Sequence, residues 1–175
     1  MSVKQCIFLI FLFLIGSSLK ADNISIKFGA FQVTHSLILP GSPETLFDQV
    51  SGDISGWWDH SMSEKPLKLY IEPKPGGGFF EIFDEAGQGV KHAEIIYAKR
   101  GKLLRFVGPL GLSGNAINLV TSYQFETVGK DSVRLKVTVN AAGQMEEGWA
   151  DTVDRVWYHF LFERLKPYVE NLQNK

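Results

Sequence analysis

Residues 149–172 read WADTVDRVWYHFLFERLKPYVENL. Apolar side chains fall at Trp149, Val153, Val156, Trp157, Phe160, Leu161, Leu165, Tyr168, Val169 and Leu172. Their steps of three, four and one repeat around a 3.6-residue turn. Asp151, Asp154, Arg155, Glu163, Lys166 and Glu170 take the opposite face. Asp151 and Asp154 sit in the opening turns, where the helix dipole favours negative charge. Pro167 lacks the N–H that would bond the carbonyl of Glu163, so a kink or fraying is expected there. This is the one long helical period in the sequence, and it comes after a succession of short strand-like runs. A lone terminal helix after strands needs a sheet to lie on. A curved sheet closed over one helix leaves room for a pocket.

Working back from the helix, Val133, Leu135, Val137 and Val139 alternate with Arg134, Lys136 and Thr138, a half-buried strand. Leu119–Val128, Leu103–Val107, Val90–Ala98, Phe79–Phe83 and Leu67–Ile71 read as further strands. Glycine-rich or charged turns separate them, the sharpest at Pro75-Gly76-Gly77-Gly78. Phe31 to Leu39 alternates as the first strand. Ser42-Pro43-Glu44 then opens a short helix, with Ser42 as N-cap and Pro43 at the first position. Asp53 to Met62, with Gly56-Trp57-Trp58, reads as a second short helix or a tight loop. Consecutive strands joined by tight turns predict an antiparallel sheet of six to seven strands, and helices grouped apart from them predict α+β.

The chain opens with Lys4, an apolar run from Cys6 to Ile15, and small or polar residues up to Ala21. That run is too short to span a bilayer and has the parts of a secretory signal peptide. Cleavage is expected after Ala21, giving an exported protein with one domain over residues 24–172. An uncleaved membrane anchor is the alternative. Loss of residues 1–21 removes Lys4 and Lys20. It leaves 16 basic residues against 19 acidic ones, a net charge of −3. No basic surplus remains for phosphates, so nucleic acid is not an expected partner. The single cysteine, Cys6, leaves with the signal, and the domain must hold together by its core alone.

Several local motifs carry a family resemblance. They are Trp57-Trp58, Pro73-Lys74-Pro75-Gly76-Gly77, Gly89, Leu103-Leu104-Arg105-Phe106, and the closing helix with Trp157, Leu161, Leu165 and Tyr168. With the element order, they resemble the START-like, or SRPBCC, superfamily, and within it the subfamily of the activator of the heat-shock chaperone ATPase. The resemblance spans nearly all of the chain after the signal. It implies a helix-grip fold, in which a curved sheet wraps a long C-terminal helix. It also implies a lipid-like or aromatic ligand, chaperone assistance, or cyclase or hydrolase activity. An exported protein meets no ATP-driven chaperone of that kind outside the bacterial cytoplasm.

The residues themselves offer little chemistry. Gly76-Gly77-Gly78 lacks the Lys-Ser/Thr of a phosphate-binding loop and lies between strands. His35, His60, His92 and His159 show no ligand spacing, so neither a metal nor another cofactor is expected. His35 shares the inner face of Phe31, Val33 and Leu37. His92 and Glu94 share a face read as solvent-facing, because Ala93, Ile95 and Tyr97 take the other. No nucleophile elbow is present, and the chain does not read as an enzyme. The aromatic residues are the positive signal. His35, Trp58, Phe80, Tyr97, Phe106, Tyr123, Phe125, Trp157 and Phe160 are the expected pocket residues for a small hydrophobic or amphipathic ligand. An enzyme using a pocket histidine or carboxylate, or an interaction module with a filled interior, are the alternatives.

Overall fold

The structure, a computed structural model, describes residues 24–173. The expected signal, residues 1–21, lies outside the described residues. Eight strands form one antiparallel sheet. They are β1 (Phe28–Pro40), β2 (Gly52–Asp53), β3 (Lys68–Ile71), β4 (Gly78–Ile82), β5 (Gly89–Lys99), β6 (Leu103–Gly108), β7 (Ile117–Gly129) and β8 (Ser132–Gln144). Their spatial order is β1-β8-β7-β6-β5-β4-β3-β2, so all but β1 form a meander. The eighth strand is β2, a two-residue edge too short to leave a period in the sequence. β1 and β8 pair along their full length, from Phe28 opposite Gln144 to Pro40 opposite Ser132. Their alternation buries Val33, Leu37 and Leu39 against Val133, Leu135, Val137 and Val139.

Helix α1 (Pro43–Gln49) begins as its sequence directs. The Ser42 hydroxyl accepts the Thr45 N–H at 3.1 Å, and Pro43 supplies the fixed φ of the first turn. Of the short helix or tight loop expected over residues 53–62, the structure has a tight turn. The N–H groups of Trp57 and Trp58 both donate to the Ile54 carbonyl, at 3.1 and 2.9 Å, and the chain then runs on irregularly.

The closing rod is helical from Trp149 to Gln173 in three parts. α2 covers Trp149–Tyr158, a π-helical segment His159–Leu165, and α3 Lys166–Gln173. The expected irregularity precedes Pro167. The Lys166 N–H donates to Leu161, five residues back. A proline ring collides with the carbonyl four residues earlier in an α-helix, and a wider turn is one way to absorb the mismatch. The buried face is Val153, Trp157, Phe160, Leu161, Leu165 and Val169. Leu165 is 0% exposed. Leu165→Ala is therefore expected to lower stability by about 2–5 kcal/mol in urea unfolding. A change below about 0.5 kcal/mol, the surface value, would place Leu165 on the wrong side of the rod.

Strand β5 departs most from simple alternation. Its pairing with β4 slips between Phe79 and Phe80, which face Ala93 and Lys91, so His92 is an extra residue. His92 and Ala93 both turn inward. A second slip, against β6, makes Ile96 the extra residue between Ile95 and Tyr97. Each bulge reverses the faces of the residues beyond it. His92 is thus buried instead of solvent-facing, and Tyr97, expected inside, is 43% exposed.

Candidate functional site

An apolar cavity of about 330 Å³ lies between the rod and the sheet. Its walls include Trp58, Phe79, Leu119, Val153, Trp157 and Phe160, and the 3-10 turn Leu110–Leu112 closes one side. Trp58 stacks on Phe160 with centroids 3.9 Å apart and meets Phe79 edge-on at 5.0 Å. Such rigid aromatic walls suit a hydrophobic guest.

The nine expected pocket residues divide three ways. Trp58, Trp157 and Phe160 line the cavity. Phe106, Tyr123 and Phe125 are buried in the core outside its lining. Tyr123 meets Phe106 at 5.5 Å and Trp157 at 6.0 Å, and Phe125 packs on Phe47 at 5.6 Å. Burial pushes the Tyr123 hydroxyl far above its ordinary range. His35, Phe80 and Tyr97 stand away from the cavity. Phe80 lies across the sheet beside Tyr70, centroids 5.4 Å apart, because alternation from the buried Phe79 turns it outward. His35 is on the inner face but is occupied by the rod. Its Nε2 is 3.0 Å from Asp154 Oδ1, and the rings of Tyr158 and Phe162 meet it edge-on. It fastens β1 to α2, so pocket chemistry centred on His35 is set aside.

Of the polar residues in the cavity wall, the buried one is His92. Its Nε2 donates to Glu81 at 2.9 Å. Glu81 is 0% exposed and also accepts the N–H groups of Met62 at 3.0 Å and Ser63 at 2.8 Å. Burial alone raises the pKa of this carboxyl. The two backbone N–H groups and His92 outweigh it, so Glu81 titrates below its ordinary value. His92 Nδ1 has no hydrogen-bond partner among the described residues. A buried carboxylate thus fixes one face of an imidazole whose other nitrogen is free for a guest. The sequence does not separate Phe79 from Phe80 and so does not place Glu81 on the inner face, and the bulge concealed His92.

At the rim, Asp59 and His60 meet His159 of the π segment. Asp59 Oδ1 accepts from His60 Nδ1 at 3.0 Å and from His159 Nε2 at 3.1 Å. Arg164 Nε lies 3.1 Å from Asp59 Oδ2, and Glu163 accepts from His159 Nδ1 at 2.7 Å. Hydrogen bonds to Glu163 and then Asp59 raise the His159 pKa. Burial tends to raise that of Asp59, but His60, His159 and Arg164 bring it below normal.

No family model and no curated protein matches the sequence. Solved structures do match. A protein of unknown function from Staphylococcus aureus superimposes with a TM-score of 0.63, covering 85% of this chain and 99% of its own, at 10% identity. A Mesorhizobium loti protein gives 0.58 over 81% and 98%, at 16% identity. The Aha1 dimer from Colwellia psychrerythraea gives 0.54 over 80% and 96%, at 18% identity. The chain has the helix-grip fold. At these identities the likeness carries the fold alone. In this chain the sheet is open and eight-stranded, and the cavity sits where the rod lies across it.

Proposed function

We propose that this is an exported binding protein, with residues 1–21 as its export signal, that takes a small hydrophobic or amphipathic molecule into the cavity. The observation that carries the reading is an apolar chamber of about 330 Å³ with one buried, oriented polar group, His92, in its wall. Apolar surface supplies affinity and a single placed polar group supplies orientation. With Nε2–H committed to Glu81, Nδ1 offers a lone pair, which favours a guest bearing a hydroxyl or amine. Native mass spectrometry of protein recovered from its own compartment should find a guest at one per chain. N-phenyl-1-naphthylamine should enter the emptied cavity and quench Trp58 and Trp157 fluorescence. Val153→Trp, which fills the chamber, should abolish that uptake while the fold is kept. Protein that is always guest-free and takes up no probe would sink the proposal.

The pairing of His92 with a buried carboxylate favours one second reading, an enzyme of hydrolase or cyclase type with His92 as general base. Glu81 would hold the ring in place. In that case His92→Gln would keep guest binding and lose turnover. A recovered guest that stays chemically unchanged on prolonged incubation speaks for binding alone.

A further inference from the structure

The fold brings together side chains that the sequence keeps 100 residues apart. Asp59, His60 and His159 each offer one ligand atom, and these atoms all lie within 4.8 Å of one another. Asp59 Oδ1 stands between His60 Nδ1 at 3.0 Å and His159 Nε2 at 3.1 Å. Zinc holds imidazole nitrogen and carboxylate oxygen at about 2.0–2.2 Å, which puts neighbouring tetrahedral ligands about 3.3 Å apart. The cluster is already near that spacing.

Its surroundings resemble the outer sphere of a metal site. A ligating histidine donates its other ring N–H to a carboxylate, which fixes the tautomer and the ring. Glu163 does this for His159, leaving Nε2 aimed at Asp59. Arg164 Nε lies 3.1 Å from Asp59 Oδ2 and helps hold the carboxylate, whose Oδ1 and Oδ2 are 3.1 and 3.0 Å from His159 Nε2. His60 is held edge-on against Phe160 at 4.8 Å, with His159 at 5.4 Å. The donor set is two nitrogens and one oxygen, which suits zinc and its neighbours better than the all-oxygen preference of calcium or magnesium.

We infer that Asp59, His60 and His159 form a site for a divalent transition ion of the zinc class at the rim of the cavity. The ion ties the segment after Trp58 to the π segment of the rod. Three protein donors leave a fourth position for water or for the polar end of a guest. His60 belongs both to this cluster and to the cavity lining. The site does not depend on the guest-binding reading, since it needs only these three side chains.

The test is calorimetric titration of untagged, chelator-treated protein with zinc chloride. One equivalent per chain is expected. His60→Ala and His159→Ala should each weaken binding at least ten-fold, and Glu163→Gln by about 10–100-fold. His35→Ala removes the other histidine–aspartate pair of the rod and should leave binding unchanged. His60 is 54% exposed, so its variant remains folded whatever happens to His159→Ala, and far-UV circular dichroism checks both. Absence of saturable uptake, or uptake that survives loss of His60 and of His159, would overturn the site.

Discussion

Glu81→Ala is expected to destabilise the protein by about 3 kcal/mol or more, because each buried donor left unsatisfied costs about 1–3 kcal/mol. Glu81 is fully enclosed and is the common acceptor for Met62 N–H, Ser63 N–H and His92 Nε2. Alanine leaves these three donors without their acceptor, and each then carries its desolvation cost uncompensated. Glu81→Gln should fall between the two, because its amide nitrogen would face at least one N–H donor. The pH dependence distinguishes the charge from the shape. Glu81 titrates below its ordinary 4.5 in the folded protein, so the stability it contributes is complete above that value. That contribution is lost as pH falls further, through the folded pKa. Urea unfolding at pH 7 should therefore separate wild type from Glu81→Gln most widely, and the gap should narrow as pH falls below 4.5. A gap that is constant with pH would mean that folding does not lower the Glu81 pKa. An effect of Glu81→Ala under about 0.5 kcal/mol would mean that it is not buried.

This pair also shows where the sequence stops being readable. Periods of 2 and 3.6 are local, so seven of the strands, α1 and the inner face of the rod can be read directly. The remainder depends on non-local geometry. Two bulges in β5 invert its faces, which hides His92 and misplaces Tyr97. Phe79 and Phe80 are equally apolar, and only the buried Glu81 two residues on shows which points inward. Alternation puts His35 on the right face, but its partner Asp154 comes from the far end of the chain. Asp59, His60 and His159 meet only because the turn after α1 folds under the rod. The cavity can be anticipated as a consequence of sheet and helix, whereas its polar contents cannot.

Trp57→Ala is expected to produce a loss of similar size, about 3–5 kcal/mol for a fully buried aromatic side chain. Trp57 is 0% exposed, and its Nε1–H donates to the Gln49 carbonyl at 3.2 Å, closing the end of α1. Its ring meets Trp58 edge-on at 5.5 Å, and Trp58 in turn stacks on Phe160. Removal of the Trp57 ring therefore does two things. It opens a void beneath α1, and it frees the backing of a cavity wall. The first effect should appear as a lower urea midpoint with an unchanged slope. The second should appear as weaker uptake of N-phenyl-1-naphthylamine even where the variant is still fully folded. Trp57→Phe separates the two effects. It restores most of the packing against Trp58 while losing the bond to Gln49, and should recover probe uptake before it recovers full stability. If Trp57→Ala binds the probe as wild type does, Trp58 is held by Phe79 and Phe160 alone, and the turn after α1 is a bystander to the cavity.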